Sequence, residues 1–183
     1  MLTKEQAAQY LQRIDYKGVL TANKSVLSSL QWTHLTHIPY ENLNIPAGIP
    51  LSLKPHDLFD KIVTDRRGGY CFEKDDFFGW VLMQKEREKD WKPMYGFTEE
   101  IQVDDDFVMP SFYCEKHPDS TFNKFMKISI FQGESNFTPV DGVFKEYRSA
   151  EVKYQKRLTE PKEIREILNR YFGLENPICI PPR

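Results

Sequence analysis

The chain has 183 residues, of which 27 are acidic and 25 basic, giving a net charge of −2. Such a length holds one mid-sized domain or two small ones packed closely, and 14% aromatic residues supply material for a core. The near-neutral charge gives no electrostatic footprint for nucleic acid or an acidic membrane, and no apolar run reaches the length that spans a bilayer.

The first residues, Met1-Leu2-Thr3-Lys4-Glu5-Gln6, carry no apolar signal-peptide core. Three cysteines, Cys71, Cys114 and Cys179, are odd in number and widely spaced. That argues against a disulfide framework and for a reducing cytoplasm, and the spacing is not that of zinc ligands, so no metal is expected.

Thr3 and Gln6 stand at capping-box spacing, with Ala7, Ala8, Leu11 and Ile14 following at helical intervals, which predicts a helix over 4–14. Asn23 is placed to cap a second helix with Val26, Leu27, Leu30, His34 and Leu35 on one face, ending before Pro39. Residues 38–50 hold three prolines and a glycine and read as a loop. Pro55 suits the first turn of a third helix carrying Leu58, Phe59, Ile62 and Val63. Gly68-Gly69 breaks the chain, and Cys71 opens a fourth helix through Phe77, Phe78, Val81 and Leu82.

The mixed-charge run 84–90 reads as a solvated helix end or linker. Beyond it the pattern changes to aromatic and β-branched residues, predicting strands over 91–101 and 125–131. Between them, Asp104-Asp105-Asp106 and His117-Pro118-Asp119-Ser120 read as loops, the acidic triplet as solvated surface. Two extended segments follow at 143–148 and 152–158. Thr159 is placed to cap a last helix, with Pro161 in its first turn, Ile164, Ile167, Leu168 and Tyr171 on one face, and Gly173 ending it. The proline-rich tail, 177–182, is expected to lie extended. The expected class is α+β: a helical domain over 1–83, a charged junction over 84–90, and an α/β region over 91–183.

The chemistry concentrates in Asp65-Arg66-Arg67-Gly68-Gly69-Tyr70-Cys71-Phe72-Glu73. A thiol at a helix N-terminus feels the positive end of the dipole and unpaired backbone N–H groups, both of which favour the thiolate. Two arginines upstream add positive potential. Gly68 and Gly69 are expected to supply special backbone angles for the turn that presents Cys71. Arg66 has two readings, holding the loop through a buried ion pair with Glu41 or tuning the thiolate, and the first is favoured because arginine suits bidentate carboxylate pairing. Glu73 reads as a buried structural carboxylate, because positions two apart on a helix do not face each other. Cys114 and Cys179 read as packing or surface thiols.

This nine-residue cysteine segment, preceded by His34-Leu35-Thr36-His37-Ile38-Pro39-Tyr40-Glu41-Asn42-Leu43, resembles the arylamine N-acetyltransferases. Trp91-Lys92-Pro93-Met94-Tyr95, His117-Pro118-Asp119-Ser120-Thr121-Phe122 and Glu175-Asn176-Pro177 look like pieces of the same family's C-terminal part. The resemblance implies a helical bundle carrying the cysteine, a β-barrel and an α/β lid. It implies acetyl-CoA as acyl donor, an arylamine or hydrazine as acceptor, and a place in xenobiotic metabolism. The family's His and Asp partners come from the barrel, and neither of their segments is present here. The chain therefore resembles an internally truncated member with most of the barrel missing.

By the same resemblance Ser120 and Thr121 would touch the coenzyme, and His117 is the candidate substitute base; His34, His37 and His56 read as structural or exposed. Amine acetylation is expected to be weak, with a non-catalytic remnant or binding protein as the alternative and a cysteine hydrolase as a third reading. Helix faces that a barrel would cover leave homo-oligomerisation open, a dimer with swapped elements being one form.

Overall fold

The structure, a computed structural model, describes residues 3–21, 24–75, 83–85, 91–93 and 104–175. Helix α1, Lys4–Arg13, begins with the expected reciprocal cap: Gln6 N donates to Thr3 Oγ1 (3.2 Å) and Thr3 N to Gln6 Oε1 (2.9 Å). Helix α2, Lys24–His37, stops two residues short of Pro39; Asn23, its expected cap, lies outside the described residues. Helix α3, Pro55–Phe59, takes Pro55 in its first turn and passes into a π-helical turn, Asp60–Thr64, which the apolar spacing does not predict.

Helix α4 opens at Cys71, as expected, and is described over Cys71–Asp75. Its expected continuation through Phe77, Phe78, Val81 and Leu82 lies outside the described residues. Met83–Lys85 is strand β2, not a helix end, and pairs antiparallel with β3, Trp91–Pro93. The rest of the strand expected to 101 lies outside the described residues, as does the tail, 177–182.

The acidic triplet is not a loop. It opens helix α5, Asp104–Lys116, at the end of a helix where acidic residues are favoured. Helix α6, Thr121–Lys124, follows the turn at 117–120. Because Phe125 N still bonds Thr121 O, strand β4 starts at Ile128 and runs Ile128–Gln132, later than the sequence suggests. Strand β5, Ser135–Val140, is new; β6, Val143–Arg148, matches the expected span, and β7 is Glu151–Arg157. Helix α7, Pro161–Phe172, has Glu160 rather than Thr159 at its N-cap and ends on Gly173 at φ 64°.

The sheet order is β1-β4-β5-β6-β7, every pair antiparallel, with β1 a two-residue strand, Tyr40–Glu41. Three two-residue loops fold the β4–β7 meander. Gln132 faces Ser135, Val140 faces Val143 and Arg148 faces Glu151. Asp141-Gly142 and Ser149-Ala150 carry positive φ at both loop positions, as the right-handed strand twist favours. One face of the sheet places Ile128, Ile130, Phe137 and Phe144 against Ile164, Leu168 and Phe172 of α7, and Leu43 joins this core from the loop after β1. A second cluster of Tyr10, Ile14, Ile38 and Ile62 joins α1, the end of α2 and the π-helical turn. No helix among the described residues is long and apolar enough to cross a membrane.

Candidate active site

Cys71 stands at the first position of α4, half-buried and free of any disulfide. The turn before it is held by the segment after α2. Glu41 N donates to Gly69 O (3.0 Å) and Gly69 N to Pro39 O (3.3 Å), so Tyr40 bridges Gly69 in a short parallel pairing.

The closeness of these two segments explains the glycines. A methyl group on Gly68 would overlap the Pro39 carbonyl oxygen and sit 2.9 Å from Glu41 Cγ; one on Gly69 would sit 2.9 Å from Glu73 Cβ. Neither glycine has positive φ. Arg66 takes that conformation instead, at φ 52°. The expected special angles are thus absent from the glycine pair, and what the pair supplies is room.

Beneath the turn lies a buried charge network. Glu41, fully buried, accepts from Arg67 Nη2 (2.7 Å) and Nε (3.1 Å) and from Leu43 N (2.7 Å). Arg67, not Arg66, is therefore its arginine partner; Arg66 is exposed, and only its carbonyl is drawn in. Lys61 Nζ lies 2.7 Å from both carboxylate oxygens of Glu73 and 3.9 Å from Glu41. Glu73, 2% exposed, also accepts from Tyr70 N (3.1 Å). Burial pushes the Glu73 carboxyl above its ordinary range, and the Lys61 ammonium opposes that push.

Two further cations are buried nearby. Arg13 donates to the carbonyls of His37 (2.7 Å), Ile62 (3.1 Å) and Arg66 (3.3 Å), tying α1 to three backbone segments. Burial, reinforced by Arg66, lowers its pKa to about 10, so it stays charged at neutral pH. Lys74 Nζ donates to Ile38 O (2.9 Å). Of these cations only Arg67, in the paired-arginine motif, carries a sequence signal. Lys61 and Glu73 are twelve positions apart, and only the fold joins them.

Tyr70 fixes the other side of the turn. Its hydroxyl is 2.6 Å from Ser111 Oγ on α5, and its ring meets Phe72 and Phe122 edge-on at 5.6 and 5.7 Å. Phe72 in turn approaches Phe107 at 6.1 Å. The start of α4 is thereby seated against α5 and α6.

The histidines are engaged elsewhere. His34 Nδ1 is 2.7 Å from Tyr10 OH, and burial, with Lys74 and Arg13 adding to it, holds the ring well below the usual histidine range. His37 Nδ1 sits 2.8 Å from Thr33 O within its own helix, and His56 faces Asp60 at 3.2 Å on the surface. His117 is exposed; its Nδ1 accepts from Asp119 N (3.1 Å) and its ring stacks on Tyr113 at 4.5 Å. Ser120 is buried, donating to Cys114 O (2.8 Å) and accepting from Phe122 N (3.3 Å) as the cap of α6, while Thr121 is exposed. Cys114 is half-buried, and burial pushes its thiol up. Cys179 lies outside the described residues. No group of three or more metal-ligating side chains occurs among the described residues.

An antiparallel sheet flanked by helices, with a half-buried cysteine opening one of them, defines an α+β protein. The profile of the N-acetyltransferase family matches residues 25–85 and 82–177. Arylamine N-acetyltransferase of Mycobacterium bovis is 43% identical over 76 residues, which are 41% of this chain and 27% of that protein. The relative is therefore about one and a half times as long, and the match spans about a quarter of it. Among solved structures, arylamine N-acetyltransferase from Salmonella typhimurium superposes with a TM-score of 0.84 at 18% identity, covering 99% of this chain and 95% of that one. The Mycobacterium marinum enzyme in complex with CoA gives 0.79 at 18% identity, covering 92% of each chain. These structural matches show the shared fold. The chain belongs to the arylamine N-acetyltransferase family.

Proposed function

We propose that this chain performs a slow, cysteine-dependent acetyl transfer from acetyl-CoA, through an acetyl-Cys71 intermediate, to an arylamine or hydrazine nitrogen, in the cytoplasm. The carrying observation is the placement of Cys71: half-buried at the start of a helix, on a turn clamped by Arg67–Glu41 and Lys61–Glu73. A relative solved with CoA bound supports the donor.

In the first step the Cys71 thiolate attacks the thioester carbonyl, and CoA leaves as a thiolate that takes up a proton. In the second, the amine nitrogen attacks the acetyl-cysteine, Cys71 sulfur leaves, and the amine loses a proton. Both steps need a proton carrier. His37, His56 and His117 are each held in local contacts, which supports the reduced rate. Losing general acid–base catalysis slows such a reaction by about 10²–10⁴-fold. Thr121, with its exposed position at the start of α6, and the neighbouring Ser120 cap are the residues proposed to meet the coenzyme.

The second reading is a chain that folds but transfers nothing, hydrolysing acetyl-CoA slowly at most; the same histidine placement favours it. Radiolabelled acetyl-CoA, with and without an arylamine, separates the two. Label on protein or amine that Cys71→Ala abolishes supports transfer. An unlabelled, folded wild type refutes it.

A further inference from the structure

Arg13 is a buried cation that no anion neutralises among the described residues. It is 8% exposed, and its Nε, Nη1 and Nη2 donate to the backbone carbonyls of Ile62, His37 and Arg66. Carbonyl oxygens solvate a guanidinium but leave its charge in place. Of its five N–H groups these bonds use three, which leaves one on Nη1 and one on Nη2. A second cation stands close by. Arg66 is exposed, and its charge helps to lower the Arg13 pKa. The fold thus holds two guanidinium groups together against their mutual repulsion.

Both arginines line one open cleft of about 260 Å³. Gln9 and Gln12, which share a face of α1 with Arg13, form one wall. Val63 and Thr64 of the π-helical turn form another. The lining offers two guanidinium groups, two amides and a hydroxyl, and it holds no carboxylate. Asp65, between Thr64 and Arg66 in the chain, is exposed and does not line the cleft.

We propose that this cleft binds a phosphate group, held by the guanidinium groups of Arg13 and Arg66, with Thr64, Gln9 and Gln12 completing its hydrogen bonds. The residue types select the ligand. Two positive charges with no acid beside them repel a cation and attract an anion. A carboxylate has two oxygens and one charge, and a single arginine fork satisfies it. A phosphate group offers three or more acceptor oxygens and a charge of roughly −1.5 to −2, which matches two forks and further neutral donors. Two sources share this chemistry: free phosphate and the phosphate groups of a nucleotide coenzyme. The inference does not depend on acetyl transfer by Cys71.

Calorimetric titration of the purified chain with inorganic phosphate tests it, at fixed ionic strength and with sodium chloride as the blank. The wild type should bind one phosphate per chain, more weakly as salt rises. Arg66 meets Arg13 through its carbonyl, so Arg66→Gln keeps that bond while removing the exposed charge. It should weaken phosphate binding about tenfold or more, and Arg66→Lys, which keeps the charge without the fork, should recover part of the loss. Thr64→Val, also at an exposed position, should weaken binding about threefold. Phosphate should raise the melting temperature of the wild type more than that of Arg66→Gln. Adding CoA assigns the source. Displacement of phosphate, with CoA itself bound more weakly by Arg66→Gln, points to the coenzyme; phosphate and CoA bound together point to free phosphate. A wild type that binds phosphate no better than chloride overturns the proposal, and so does phosphate binding that Arg66→Gln leaves unchanged.

Discussion

Replacing Lys61 by methionine removes the one cation that touches Glu73 among the described residues while keeping the side chain's length. In the native protein the ammonium lies 2.7 Å from both Glu73 oxygens, and the two side chains are 12% and 2% exposed. Among the described residues the variant leaves Glu73 with a single neutral donor, the Tyr70 amide at 3.1 Å. Breaking a buried pair by deleting one partner costs about 3–5 kcal/mol, because a desolvated charge is left behind. The cost must depend on pH. Burial already raises the Glu73 carboxyl, so the folded state binds its proton more readily than the unfolded chain does. Stability from this group is full below the unfolded value and is lost as pH rises toward the folded value. Removing Lys61 raises the folded value further, so more stability is lost by neutral pH.

Urea unfolding should therefore show a loss of about 3–5 kcal/mol at neutral pH, shrinking as the pH falls toward the ordinary glutamate range, with the slope of the transition unchanged. Lys61→Met with Glu73→Gln should recover most of the loss, as no buried charge then remains. A cost below about 1 kcal/mol at neutral pH, or one that does not change with pH, would refute the reasoning.

His34 gives an opposite pH signature. Its ring is held neutral by burial and by Lys74 and Arg13, so its folded value is depressed below the usual histidine value. Stability is then undiminished above about pH 6.5 and falls as pH drops through it, by up to about 1.4 kcal/mol per unit. His34→Gln should flatten that slope in thermal melts. Gly68→Ala should destabilise by about 1–3 kcal/mol or more, because the new methyl meets the Pro39 backbone carbonyl, which cannot swing aside. Gly48→Ala faces open space at φ 69° and should cost only the ~1 kcal/mol of left-handed strain; equal melting losses in the two variants would count against the steric account.

The features readable in the linear chain are those set by neighbours within a few positions. Thr3 and Gln6 cap α1, Pro55 and Pro161 open helices, Gly173 stops α7, and Cys71 begins α4, because each effect acts through the local backbone. The span Val143–Arg148 is marked by its β-branched and aromatic residues and by the Asp141-Gly142 turn before it. Strand β5, which holds Ser135, Asn136 and Pro139, gave no such mark, and only the pairing of both its edges makes it a strand. Asp104-Asp105-Asp106 read as loop because the triplet's composition hid its place in a first helical turn.

At the candidate site the motif named the nucleophile but not its support. Arg66 and Arg67 are chemically identical neighbours. Which one turns inward to Glu41 depends on the positive φ of Arg66, held by a hydrogen bond from Arg13 fifty-three positions away. Lys61, in the π-helical turn, and Glu73, in α4, meet only because the fold brings those two elements together. Caps, turns and helix starts follow from torsional preferences of adjacent residues, which the sequence states directly. Buried ion pairs, two-residue strands and the seating of Tyr70 on Ser111 depend on segments distant in the chain reaching one place. Desolvation then fixes which polar groups must pair, and that selection exists only in the folded molecule.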